Sequence, residues 1–108
     1  MAVKANLLID QGADFTTTVN VTDDYGDPID LTGYTGAAQI RKHYTSITAY
    51  SFTVEVNSTG DVHLTLSSNT SNTIPAGRYV YDCELTDSSN KKSRIVEGIV
   101  TVTPQVTR

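Results

Sequence analysis

The sequence predicts an all-β fold, an antiparallel β-sandwich of about seven strands. Three observations point there. Apolar and polar residues alternate with period two in several separate stretches, the pattern of strands with one buried face. Turn-forming clusters recur every roughly 8 to 15 residues, as in sandwiches and small barrels. Threonine occurs seventeen times and tryptophan never. Thr is stiff at χ1 and fits a pleated, half-buried surface. No stretch of ordinary helical length carries a helical period.

The elements follow in order. Leu7 to Ile9 is a short strand or arm, ended by Gly12–Asp14. Phe15, Thr17, Val19 and Val21 alternate with Thr16, Thr18, Asn20 and Thr22. The run Asp23-Asp24-Tyr25-Gly26-Asp27-Pro28 is a turn, because short acidic side chains bond nearby amides and Pro pre-sets the exit. Ile29 and Leu31 follow, then a second turn at Thr32-Gly33. Tyr34, Gly36, Ala38 and Ile40 mark one face of the next strand, and their small size predicts close packing over it. Residues 43–49 read as a loop. Tyr50, Phe52, Val54 and Val56 give the clearest alternation in the chain. Asn57–Asp61 is a hairpin loop with Gly60 placed for a bulge. Val62, Leu64 and Leu66 return. Ser67–Thr73 reads as a polar connection across the end of a sheet, with room for one helical turn. Ile74-Pro75-Ala76-Gly77 turns into a strand facing Tyr79, Tyr81, Cys83 and Leu85 inward, and Ser88–Lys91 is the last hairpin loop.

In the final strand Val96, Gly98, Val100 and Val102 share a face, yet Ile95 and Ile99 oppose them. A bulge near Gly98 would place Ile95 with Val100 and Val102; the alternatives are cover on both faces, or a neighbouring subunit against Ile99. The predicted core is Phe15, Val19, Val21, Leu31, Ile40, Phe52, Val54, Leu64, Leu66, Tyr79, Tyr81, Leu85, Val100 and Val102. The architecture expected is immunoglobulin-like or similar. With 108 residues the chain makes one domain: residues 1–11 as an N-terminal arm or edge strand, and 12–108 as the sandwich.

Composition excludes several functions. A net charge of −4 opposes a nonspecific grip on phosphates, so no nucleic-acid partner is expected. The N-terminus lacks the apolar run of a signal peptide or membrane span, so neither export by the general route nor a membrane is expected. A single cysteine allows neither an internal disulfide nor a multi-cysteine metal site.

Candidate chemistry is sparse. His43 and His63 lack the companions that a metal or a nucleophilic triad requires. Asp23, Asp24, Asp27 and Asp30 lack the terminal Glu and helical flanks of a calcium loop. Asp82 and Glu84 share a strand face but no groove suited to acid–base work. Lys91, Lys92 and Arg94 are too few for a nucleic-acid footprint. Tyr25, Tyr44 and Tyr50 are the tyrosines available to a sugar face. Asn20, Asn57 and Asn69 open glycosylation tripeptides without a secretory signal. Cys83 faces the core as a small hydrophobe. No catalytic residue, metal, cofactor or small-molecule substrate is expected.

The order of motifs carries a resemblance. Asp30-Leu31-Thr32-Gly33-Tyr34 leads into a strand with Arg41. Thr70 and Ile74-Pro75-Ala76-Gly77 precede Tyr79-Val80-Tyr81-Asp82, and Glu97-Gly98 leads to Thr107-Arg108. From Gly12 to Arg108 the chain resembles the small β-sandwich structural modules of tailed bacteriophages, especially the N-terminal domain of baseplate upper proteins and related short tail or neck proteins. The resemblance implies a non-enzymatic virion protein, assembled in the host cytoplasm, whose partners are its own copies and other virion proteins. The stop at Arg108 leads us to expect a standalone structural or adaptor protein rather than a fibre anchor. The candidate interface is Leu7, Leu8, Ile9, Ile95 and Ile99, since unprotected edges recruit neighbours. The alternative reading is a small sandwich that binds carbohydrate or protein ligands.

Overall fold

Two sheets pack face to face in a computed structural model that describes residues 3–23 and 25–106. The strands are β1 (Val3–Lys4), β2 (Leu7–Asp10), β3 (Phe15–Asn20), β4 (Thr35–Arg41), β5 (Tyr50–Ser51), β6 (Thr53–Val56), β7 (Asp61–Leu66), β8 (Gly77–Thr86) and β9 (Lys92–Thr103). A single helical turn, α1 (Ser68–Ser71), precedes β8. One sheet runs β1-β9-β8-β4-β5, with β2 also on β9; the other runs β3-β7-β6. The all-β sandwich is therefore the fold. The nine segments form seven passes of the chain, because β1 with β2, and β5 with β6, are each one interrupted strand.

The sheet is not wholly antiparallel. β1 and β2 run parallel to β9, with Leu7 opposite Val100 and Ile9 opposite Val102. A parallel pair needs a long connection, and almost the whole chain lies between these two strands. Ile9 is 0% exposed within the core, so this strand completes the sandwich.

Tyr50–Val56 also departs from the single strand expected. Ile40 pairs with Tyr50, Phe52 donates its N–H to the Ala38 carbonyl at 3.0 Å, and Thr53 then pairs with Thr65 in the other sheet. The strand changes sheets at Phe52 while its apolar stripe continues unbroken. Phe52 sits between Phe15 of β3 and Tyr81 of β8, at centroid separations of 6.2 and 6.3 Å. Antibody domains join the equivalent strands by a disulfide; here three aromatic rings span the gap. Tyr79 donates its hydroxyl to the Pro75 carbonyl four residues upstream at 2.6 Å, the corner bond typical of immunoglobulin-type sandwiches.

The small residues of β4 are used as expected. A Cβ on Gly36 would lie 2.5 Å from Val54 Cγ1 and 3.1 Å from Leu85 Cδ2, so β6 crosses directly over that glycine. In the hairpin after β6, Gly60 has φ +83°, and the Asn57 carboxamide oxygen accepts the N–H groups of Thr59 and Asp61.

The phase conflict in β9 is resolved by a bulge at Ile95 rather than near Gly98. Cys83 faces Val96 while Glu84 faces Arg94, which leaves Ile95 as the extra residue. Val96, Val100 and Val102 therefore stay on one buried face, and Ile95 tucks partly against the core. Of the predicted core, Phe15, Val19, Val21 and Val54 are only half-buried at its rim, whereas Ile9, Ala38, Val62, Ile74, Cys83 and Val96 join it.

The polar connection before β8 is pinned rather than loose. Ser67 caps α1 by accepting the Thr70 N–H at 3.3 Å. Ser71, fully buried, donates to the Ala13 carbonyl at 2.7 Å and accepts the Gly12 N–H at 3.1 Å. Asp14 accepts the Ser68 N–H at 2.7 Å. No pattern in the run of Ser, Asn and Thr singles out Ser71.

Burial also sets an alkaline limit on the fold. Desolvation pushes the Cys83 thiol up from 9.0 to about 11, with smaller contributions from Asp82 and Glu84. Desolvation likewise raises Tyr81 from 10.0 to about 12. Each group ionises more readily in the unfolded chain, so its stabilisation is complete below the ordinary value and lost as pH rises through the folded one. We expect denaturant midpoints to fall from about pH 9 upward, each group costing about 2–3 kcal/mol by the end of its window. Native protein at pH 8 should leave Cys83 unreactive toward a thiol reagent until denaturant is added. A constant midpoint from pH 8 to 11 would contradict this account.

Candidate functional site

The outward face of β4, β8 and β9 gathers charged side chains around a groove. The register sets Gln39 beside Asp82 and Glu97, and Arg41 beside Val80 and Ile99. Arg94 reaches Asp82 at 3.2 Å and Glu97 at 3.6 Å. Arg41 donates to the Ser46 carbonyl and, at 3.0 Å, to Gln39 Oε1, which ties down the loop after β4. Tyr44 on that loop is 78% exposed. With Gln39, Arg41, Val80, Asp82 and Arg94 it borders a shallow groove of 310 Å³. Desolvation raises the Asp82 pKa, opposed by the Arg94 charge. The groove presents the Arg94–Asp82 ion pair, Arg41, Gln39, two tyrosines and one valine.

The sequence-nominated chemical residues do not converge. His63 lies on the other sheet, its Nδ1 2.9 Å from the Thr18 hydroxyl. His43 caps its own loop, its N–H bonding Ser46 Oγ at 3.0 Å. Asp23 accepts the N–H groups of Tyr25 and Asp27, and Asp30 that of Thr32; these carboxylates build turns. Asp24 lies outside the described residues, as do Thr107 and Arg108. Among the described residues no three His, Cys, Asp or Glu side chains group as metal ligands. Nor is any helix among them long and apolar enough to cross a membrane. Asp82 is engaged by Arg94, while Glu84 stands opposite Arg94 across the bulge. Tyr25 and Tyr44 are exposed, but Tyr50 packs edge-on against Tyr79 at 6.4 Å.

The five candidate interface residues divide. Ile9 is a correction: its place inside the sandwich leaves it no surface to offer. Leu7 and Ile95 are half-buried against the same core. Leu8 and Ile99 point outward, at 62% and 43% exposure. Leu8 faces Thr101, two residues along β9 from Ile99, and Ile99 faces Val80. These three make a short apolar row beside the groove. In the sequence Val80 is hidden between Tyr79 and Tyr81, which define the inward phase; the pairing with Ile99 places it in the row.

Fold and surface together define an immunoglobulin-like β-sandwich with a charged groove and an apolar row on one sheet. The chain matches no protein-family model and no curated protein. Among solved structures it overlaps the extracellular domain of the voltage-gated sodium channel beta4 subunit, seen as parallel homodimers and ascribed a role in cell–cell adhesion. There the identity is 13% and the TM-score 0.46, over 95% of this chain and 93% of that one. It also overlaps a family 123 glycoside hydrolase from Clostridium perfringens at 12% identity and TM-score 0.45, over 97% of this chain but 24% of the hydrolase.

Proposed function

We propose that this protein is a non-enzymatic structural component of a tailed-bacteriophage virion, a tail, baseplate or neck protein acting by self-assembly or adaptor contacts. The motif order from Asp30 to Gly98 supports the reading. Its pieces serve as joints of the fold: Asp30 holds the turn before β4, Pro75 takes the Tyr79 hydroxyl, and Gly98 lets the N-terminal strand approach. The observation that carries the contact-making part is the outward row Leu8, Ile99 and Val80. It offers apolar surface on a domain whose Asp23, Asp30 and Asp87 carboxylates bond the backbone of their own turns. Mass spectrometry of purified virions should detect this chain at a fixed ratio to the other tail or neck proteins. Complete particles without it would sink the proposal.

A second reading, a sandwich that binds carbohydrate or protein ligands, draws on Tyr44 standing over the charged groove. Glycan binding in solution that is lost in Tyr44→Ala would favour it.

A further inference from the structure

We infer that the open edge of β3 pairs antiparallel with β3 of a second copy, about a two-fold axis at Thr18. Among the described residues β3 has a neighbour on one side only, β7. Val21 donates its N–H to the Gly60 carbonyl at 2.7 Å, one step beyond the Asn20–Asp61 pair. Hydrogen-bonding direction alternates along a strand, so Phe15, Thr17 and Val19 also address β7. The backbone groups of Thr16, Thr18 and Asn20 point away from it, and no strand among the described residues takes them.

The other edges are poorer templates. β5 has two residues, β2 has four and ends in the charged Asp10, and β6 has four with Glu55 among them. β3 has six residues, Phe-Thr-Thr-Thr-Val-Asn, with no charge, proline or bulge. Charged residues, prolines, bulges and short length are how sheet edges are protected from pairing, and β3 carries none of them.

A second copy is the occupant that its chemistry fits. Two chains of net charge −4 repel each other overall, so they approach best along an uncharged strip. Centred on Thr18, the pairing sets Thr18 against itself and Thr16 against Asn20 of the second copy. Each of these residues donates one backbone bond and accepts one. On the inward face Thr17 meets Val19 of the second copy, and Phe15 meets its Val21. Phe15, Val19 and Val21 are among the residues half-buried at the rim of the core, and the added strand covers them. The result is one continuous sheet through both molecules, on the sheet opposite the Leu8–Ile99–Val80 row.

Sedimentation of the intact chain should show a concentration-dependent dimer. Thr18→Lys and Thr18→Glu each set like charges face to face and should weaken it about tenfold or more. Mixing the two variants should restore association, which also shows that both are folded. Under mild oxidation Thr18→Cys should cross-link at the axis faster than Thr65→Cys, which lies outward on β7; Cys83 is buried and does not compete. A monomer at the highest soluble concentration, equal cross-linking at Thr18 and Thr65, or folded variants that fail to associate when mixed would each overturn the pairing. None of these outcomes bears on whether the chain occurs in virions, so the two proposals fail separately.

Discussion

Replacing Ile9 with alanine is expected to destabilise the protein by about 2–5 kcal/mol, the usual cost of emptying a fully enclosed aliphatic site. Ile9 is 0% exposed and stands beside Val102, itself 2% exposed. The loss should appear as a lower denaturant midpoint with an unchanged slope, and it should be independent of protein concentration. Leu8→Ala, one residue away but facing solvent, should change stability little. That contrast separates a core strand from a docking arm. Equal effects at the two positions would mean that β2 is not seated as described.

Gly98→Ala is expected to dislodge the N-terminal strand. A Cβ at residue 98 would overlap the Ala5 carbonyl oxygen and stand 2.8 Å from its carbonyl carbon. Backbone cannot yield as a flexible side chain does, so a cost of about 1–3 kcal/mol or more is expected. Three bonds converge at this crossing. Ala5 donates to the Glu97 carbonyl at 2.9 Å, Asn6 accepts the Ile99 N–H at 3.1 Å, and Tyr81 donates its hydroxyl to the Ala5 carbonyl at 2.5 Å. Amide exchange at Ala5, Leu7 and Ile99 should accelerate together in the variant while β7 stays protected. Unchanged protection at Ala5 would show that the strand does not pass so close to β9.

Both predictions concern residues that sequence reading placed on a surface or in a bulge. Leu7-Leu8-Ile9 is too short for its alternation to show which member faces a core, and nothing local signals a parallel partner more than ninety residues away. The phase conflict of Ile95 and Ile99 points to a bulge near Gly98 as one alternative. The glycine's actual role is steric, and the contact that demands it comes from the other end of the chain. The alternation shows Ile95 to be out of phase, but the position of the slip depends on which residues of β8 oppose its neighbours. The candidate groove was less legible still. Arg41, Asp82 and Arg94 come from three strands, and only the register brings them together.

Residue alternation, turn chemistry and small-residue spacing act within a few positions along the chain. The amino-acid order alone therefore determines that this is an all-β sandwich, where its seven passes turn, and which face of most strands is buried. Partner choice is not local. A period of two looks the same whether a strand stays in one sheet or changes sheets at Phe52, and whether its neighbour runs parallel or antiparallel. Tertiary structure decided that Ile9 is core, that Leu8, Ile99 and Val80 form one row, and that β3 is left with an open edge. Those outcomes depend on which backbone hydrogen bonds close around a shared core, and they involve residues far apart in sequence.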